Sequence, residues 1–373
     1  MPQPKKVEFN CTVITPMFLA GADQNKPELR VPSLRGELRW WLRALLGATT
    51  IQNADDLFSK ESEVFGSVDK VSEVTIKLSI VQEASDRASN LFQQHNQMQG
   101  MRYLWYSTNL GQNNRPYFKP EDTQFKVSFI SKNDDALKKA ICAFWALSVC
   151  GGLGTRSRRG AGSFSARITY SDIEKNHLPE FEIDFVPENF TKQFEKIERT
   201  FGSFPVKNAR KAWPSFSKVN IFRANLHAQK WQDAVEQVGK ALQEFRNRRQ
   251  PDYQNVKDFI QHGTIPQTVE RAAFGLPLMF RYRSLPNPNN SAIISLNLDD
   301  SDRRASPLWI SIIKLPNSQY DAVLTYFDSL FLPNDARLEI KAKQQNPQVV
   351  PQTPNTNIIQ AFINGKFPNK QAL

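Results

Sequence analysis

Cysteine is scarce in this sequence. There are three in 373 residues (Cys11, Cys142, Cys150) and no C-x-x-C pair. That number cannot build a disulfide framework and argues against a structural zinc site. Histidine is nearly as rare. His95, His177, His227 and His262 are the four, and none stands near a Cys, Ser or acid cluster at a recognisable spacing. No H-E-x-x-H, G-x-S-x-G or Asp-rich metal motif occurs. Asp55-Asp56 and Asp299-Asp300 with Asp302 are able in principle to bind a metal, and loop or capping roles explain them better. No catalytic residue and no metal or other cofactor is therefore expected. Long apolar runs are missing too. The longest, ICAFWALSVC (141–150), is far short of the roughly 20 residues that span a bilayer. The N-terminal MPQPKKVEF has no apolar signal core. A cytosolic (cytoplasmic), reduced chain with buried thiols is the expectation, with no membrane partner. Acid is also in deficit. Lys and Arg total 48 against 37 Asp and Glu, giving a net charge of +11 and a pI near 9.5. That excess favours an acidic partner, nucleic acid ahead of a membrane surface.

The most informative stretch that is present is RVPSLRGELRWWLR (30–43). Val31-Pro32 reads as an extended lead-in and Ser33 as the N-cap of a helix. Leu34, Leu38, Trp41, Leu42 and Leu45 share one arc at about 100° per residue, which marks a core face. Arg35, Arg39 and Arg43 form a second row at i, i+4, i+8. Three guanidinium groups in a row repel one another, and a helix does not need them. They are explained either as a solvated face or by something anionic lying along the row. Trp40 falls off the apolar arc, so a neighbouring domain packs it or a partner takes it. Gly47 is a natural stop.

The chain order predicts an α+β fold. VEFNCTVI (7–14) alternates as a strand, followed by the helix from Ser33 and a strand at EVTIKLSIV (73–81). Residues 82–120 are polar and irregular and read as an insertion, with MRYLWYS (101–107) a strand inside it. QFKVSFI (124–130) is a strand. A helix capped by Asn133 or Asp134 carries Leu137, Ala140, Ile141, Phe144 and Ser148 on one face and ends at Gly151-Gly152. SFSARITY (163–170) is the next strand. The resulting β-α-β-β-α-β order is the ferredoxin-like signature. Residues 1–175 thus form a first ferredoxin-like domain, and 176–215 a connecting segment. A second, more decorated ferredoxin-like domain spans 216–343. It has strands at 219–226, 292–298, 307–315 and 336–342, and helices at 229–248 and 318–331. Residues 344–373 read as linker and tail, with IIQAFING able to dock as a short element.

A second basic motif is GGLGTRSRRGAGSF (151–164). Gly152, Gly154 and Gly160 sit among Arg156, Arg158 and Arg159 with no acid. Glycines let backbone amides come close to a ligand, and successive amides make an anion-binding nest. The loop is not a Walker A motif, since no G-K-[ST] closes it. It is not a Rossmann fingerprint either, since it follows a helix and leads into a strand. The alternative is a flexible loop that happens to be basic. Arg303-Arg304, Arg281 and Arg283 are as well explained by surface charge. FRNRRQ (245–250) places cations at the negative end of a helix dipole.

TPMFLAGADQNKPELRVPSLRGELRWWLRAL (15–45), the glycine-rich basic loop, AFGLPL (273–278) and RRASPLWI (303–310) together resemble the RAMP superfamily of CRISPR-associated proteins. Within it they are most similar to the first RAMP subunit of type III-B Cmr effector complexes. The likeness runs through most of the chain in the right order, leaving out 82–120, 284–291 and the end after 344. It implies tandem ferredoxin-like (RRM-like) RAMP domains with insertions. It implies an RNA-binding, non-catalytic subunit of an antiviral RNA-guided complex, near the 3′ end of the guide. The implied partners are guide RNA, single-stranded target RNA and the other Cmr RAMP subunits. Mapped onto this sequence, the RNA-binding residues are Arg35, Arg39, Arg43, Trp40, Gly152, Gly154, Arg156, Arg158, Arg159 and Gly160. Lys26, Arg30, Arg303 and Arg304 are secondary candidates. Other RAMP proteins are guide-processing endoribonucleases, often with a His base. No His lies in either basic motif here, which argues against that alternative. A purely structural cap subunit is the remaining alternative.

Overall fold

In a computed structural model, the structure describes residues 3–51, 53–204, 212–247, 250–287, 289–298, 301–333, 335–343 and 345–373. The expectations for Asp299, Asp300 and the end of FRNRRQ lie outside them. The first unit runs β1 (Lys5–Val13), α1 (Val31–Leu46), α2 (Ala54–Phe65) and β2 (Thr75–Gln82). The insertion follows as β3 (Ser85–Arg87), α3 (Ala88–Gln94), α4 (Gln99–Trp105) and β4 (Pro116–Phe118). The unit closes with β5 (Gln124–Ser131), α5 (Asp134–Cys150) and β6 (Phe164–Ser171). The sheet order is β2-β5-β1-β6, antiparallel throughout, which is the ferredoxin-like order. Alternation on β1 turns Val7, Phe9, Cys11 and Val13 inward, against α1 and α5. Asn133 caps α5 through its side chain, and Gly151 ends it.

After α6 (Pro187–Phe201), the second unit begins with β7 (Val219–Arg223), α7 (Trp231–Asn247) and α8 (Asp252–His262). It continues with β8 (Leu278–Arg281), β9 (Ser291–Asn297), β10 (Leu308–Lys314) and β11 (Tyr320–Phe327). It ends with β12 (Arg337–Ala342), β13 (Gln348–Val349), α9 (Asn357–Lys366) and β14 (Gln371–Ala372). Its main sheet, β10-β11-β7-β14, repeats the first sheet's order. The strands β13-β12-β9-β8 form a separate accessory sheet. The tandem ferredoxin-like arrangement holds, and several local expectations need correction.

Residues 318–331 do not form a helix. Every residue of β11 is buried between β10 and β7, so the strand shows no alternation, and a fully buried strand cannot be told from a helix by period. Asp321 is buried within it. The side chain is held by Arg223 Nε at 2.8 Å and the Leu226 amide at 3.0 Å. Residues 101–107 are not a strand. Met101, Leu104 and Trp105 are buried at i, i+3, i+4 on α4. This helix crosses α7 at Gly100 and Gly239, where a Cβ on Gly239 would lie 2.2 Å from the Gly100 carbonyl oxygen. Val31-Pro32 is not a lead-in. Arg30 is the N-cap, and proline occupies the first turn, where a missing N–H costs nothing. The connecting segment contains α6, whose Phe190 and Phe194 pack on Trp145.

Residues 344–373 are not a tail. Helix α9 buries Ile358, Ile359, Phe362 and Ile363, and β14 pairs with β7 to complete the second sheet. Each such side chain contributes about 1.5–3 kcal/mol on burial, so the four together rival the whole margin of a domain, about 5–15 kcal/mol. Deleting 357–373 is expected to abolish cooperative melting of the second unit, followed by circular dichroism. A melting curve like that of the full chain would show the helix to be dispensable.

Candidate nucleic-acid interface

The arginine row on α1 has an anion, and it belongs to the chain. Glu61 on α2 is buried, with its carboxylate 3.1 Å from Arg39 Nε and 2.8 Å from Arg43 Nη1. Arg39 also donates to the Phe65 and Gly66 carbonyls at 3.0 and 2.5 Å. Arg39 and Arg43 therefore fix α2 onto α1, rather than offering themselves to an outside phosphate. Arg30 and Arg35 are half-buried, each with an Nε that finds no partner. Lys26 is exposed. Trp40 goes the way of the packing alternative. Its ring lies 4.8 Å from Trp41, 4.8 Å from Trp309 on β10 and 5.4 Å from Phe327 on β11. It joins the two units and is not a stacking platform for bases.

The glycine-rich loop is tied down by backbone hydrogen bonds, which engage several of the amides that a nest would need. The amides of Leu153, Thr155, Arg159 and Gly162 donate to the carbonyls of Gly162, Phe18, Arg156 and Pro16. Gly154 has φ +90°, and a Cβ there would lie 2.5 Å from the Phe18 carbonyl oxygen. At Gly162, with φ +67°, the clash with the Leu153 oxygen would be 1.8 Å. Gly152 is packed on the Ala161 and Gly162 backbone, and Gly160 faces Ile310 and Ile312 on β10. These glycines let the loop wedge between the units, where the Ile312 amide donates to Ser163 Oγ at 2.9 Å. They make no surface for phosphate.

What the loop does present is arginine. Arg156, Arg158 and Arg159 point into a cleft of 530 Å³, joined there by Arg246 of α7, by Arg271 and by Arg304. Tyr103 and Tyr106 come from the insertion, and Phe274 and Met279 from the second unit. No carboxylate lines the cleft. Six guanidinium groups thus share one space, and the acids that act on them, Glu37 on Arg158 and Asp252 on Arg271, stand behind the lining.

The six differ in how far they are already satisfied. Arg158 lies over the rings of both Trp40 and Trp309, 4.9 and 4.3 Å from their centroids, and donates to the Ser306 carbonyl. Arg304 is tied to the Phe331 and Leu330 carbonyls and lies over the Phe331 ring at 4.5 Å. Arg156 donates to Ser107 Oγ at 2.8 Å and lies over Tyr106. Arg303, on the outside, pairs with Asp302 at 3.5 Å. The other three have donors to spare. Arg159 Nη1, Arg246 Nε and Arg271 Nε are buried with no hydrogen-bond partner. Burial, reinforced by Arg246 nearby, brings Arg159 down to about 9 and lowers Arg271. Burial likewise brings Arg158 and Arg304 to about 10. All remain cations at neutral pH.

Arg246 and Arg271 escaped the sequence reading. Arg246 was absorbed into a helix-dipole explanation, which accounts for any cation at a helix end. Arg271 has no motif of its own, but it stands two residues before the AFGLPL stretch. The insertion, polar and irregular by sequence, is ordered into short helices and strands and supplies two tyrosines of the cleft. Its Trp105 Nε1 also donates to the Arg159 carbonyl at 2.8 Å.

Residues 10–165 match the family model of the RAMP superfamily. The chain is 29% identical over 337 residues to "CRISPR system Cmr subunit Cmr1-1" of Pyrococcus furiosus, covering 87% of this chain and 88% of that one. It is 28% identical over 180 residues to Cmr1-2 of the same organism, covering 43% of this chain and 94% of that one. The fold is similar to the crystal structure of Cmr1 from Pyrococcus furiosus in its apo form, with a TM-score of 0.65 at 23% identity over 98% of each chain. It is also similar, at a TM-score of 0.55 and 12% identity, to a chain of the type III-B Cmr-beta bound to cognate target RNA. That match covers 98% of this chain and 99% of that one. The resemblance drawn from the motifs therefore holds for both sequence and fold.

The Arg39–Glu61–Arg43 cluster makes a testable distinction. Arg39→Ala leaves a buried carboxylate with one of its two partners, at a cost of about 1–3 kcal/mol. A lowered melting temperature with RNA binding unchanged below the transition is expected. Weakened binding by a fully folded Arg39→Ala chain would return α1 to the interface.

Proposed function

We propose that this chain is the Cmr1-type subunit of a type III-B RNA-guided complex, holding single-stranded RNA near the 3′ end of the guide without chemistry of its own. The similarity to Cmr1-1 over most of both chains supports the assembly, with the other Cmr RAMP subunits, guide RNA and target RNA as partners. The observation that carries the RNA-holding role is the cleft between the units, lined by six arginines and no carboxylate. Guanidinium forks match phosphate geometry and remain charged when partly desolvated. Contacts of this kind fix position and register and carry no sequence information.

The non-catalytic reading is supported by what surrounds the cleft. No His, Cys or carboxylate lines it, which leaves Tyr103 and Tyr106 as the lining side chains of a type that serves in proton transfer to or from a ribose 2′-hydroxyl. Among the described residues, no cluster of His, Cys, Asp and Glu could hold a metal ion.

Purified chain titrated with single-stranded RNA across a salt series tests this. Three or four neutralised phosphate charges give a slope of about −2 to −3 in log K against log salt. The triple variant Arg159→Ala/Arg246→Ala/Arg271→Ala is expected to bind at least about tenfold more weakly, since each lost charge-assisted contact is worth about 1.5–3 kcal/mol. Unchanged binding in that variant would sink the assignment of the cleft. Specific cleavage products in the presence of EDTA would mean a nuclease.

The pH dependence follows from the same groups. Arg159, at about 9, is the most depressed of the four shifted arginines, and its charge is lost only as pH rises through that value. With no His in the lining, affinity for a strand with hydroxyl ends is expected to stay constant between pH 6 and 8, within about twofold. It should fall as pH rises through about 9. A drop across pH 6–7 would point to a histidine outside the cleft.

A further inference from the structure

We propose that the deep part of this cleft is an end pocket, which takes a terminal phosphomonoester of an RNA strand on Arg159, Arg246 and Arg271. The inference rests on the RNA-holding reading and sharpens it. A groove that tracks a strand presents its cations in a line, one per phosphate. Here Arg159, Arg246 and Arg271 line a single cleft together, with Arg246 acting on both of the others. Arg159 Nη1, Arg246 Nε and Arg271 Nε are the buried, unpartnered guanidinium atoms of the lining. Arg246 is close enough to depress the ionisation of both of the others. The remaining three arginines are turned to the Ser306, Phe331 and Leu330 carbonyls and to Ser107.

Three guanidinium groups in one cleft ask for more charge than one linkage carries. An internal phosphodiester brings one negative charge to its phosphorus. A monoester brings about −1.5 to −2, with three acceptor oxygens. The volume points the same way. At 530 Å³ the cleft is in the range of pockets that enclose one small ligand, about 300–1,000 Å³.

The walls suit a nucleotide behind that phosphate. Tyr103 lies under Arg246, at 5.9 Å from guanidinium carbon to ring centroid. Leu104, Leu242 and Phe274 give apolar surface beside it. Asp252 is the nearest acid on the Arg271 side, and it does not fill the site. Its two oxygens accept from the Glu270 and Arg271 amides, at 3.0 and 2.7 Å.

The test uses full-length chain and one short oligoribonucleotide made with a 3′-phosphate, a 5′-phosphate, or hydroxyls at both ends. One phosphorylated form is expected to bind about tenfold or more tightly than the hydroxyl form, and the pair of arms identifies which end enters. The preference should vanish in Arg246→Lys and Arg271→Lys. These keep the charge but lose the fork, so a folding defect is not the explanation. Equal affinity for all three oligonucleotides, lost together in the arginine variants, would overturn the end pocket and leave the RNA-holding role standing. Equal affinity unaffected by the variants would remove both. A preference that persists in both lysine variants would move the end site elsewhere.

Discussion

The structure depends on one aromatic seam. Trp40 and Trp41 on α1 meet Trp309 on β10 and Phe327 on β11, with ring centroids 4.8–5.9 Å apart, and Phe216 closes the group from the connecting segment. Adjacent tryptophans on a helix point in different directions. Both still reach the second unit's sheet, at 4.8 and 5.0 Å from Trp309, and Trp41 is the fully buried one of the pair. The two sheets therefore share a core instead of facing each other across a solvated linker. Arg158 is held by the same seam, its cation against both of those indole rings. Position in the cleft is thus set by apolar packing, and that allows an acid-free cluster of arginines to persist.

Much of the first unit was legible because its elements sit half-buried. Strands β1, β2 and β5 alternate, and α1 shows a clean apolar arc, so period and face agree. The second unit was harder to read where burial is complete. β11 is covered on both faces, and a strand with no polar face has no period to detect. Helix α9 was lost for a different reason. It follows a proline- and glutamine-rich connection, and composition there suggested the end of the fold. The strand that follows α9 is two residues long, too short for any pattern.

The candidate site divides along the same line. Sequence can count charges, but it cannot pair them. The row Arg35, Arg39, Arg43 and the loop Arg156, Arg158, Arg159 look alike as motifs. Glu61, fifteen residues or more from the row, cancels two of the first set and is invisible from it. The loop's arginines could be found from the run of glycines, although the role assigned to the glycines was wrong. They shape the loop against Phe18 and β10, and the side chains face the ligand space. Arg246 and Arg271 come from distant elements, and no local pattern could have joined them to the loop.

The contrast between the two arginine groups is informative in itself. A buried guanidinium with a carboxylate partner needs no ligand, since its desolvation is offset inside the fold. Arg39 and Arg43 are in that state. Arg159, Arg246 and Arg271 are not. Their neighbours are aromatic rings, one carbonyl, Asp252 behind Arg271 and one another. Such an arrangement costs stability that an anion in the cleft would offset. Because the loop comes from the first unit and Arg246 and Arg271 from the second, the same anion would also draw the units together across their seam. The preorganised repulsion thus favours binding over a well-satisfied apo state and ties occupancy of the cleft to the packing that created it.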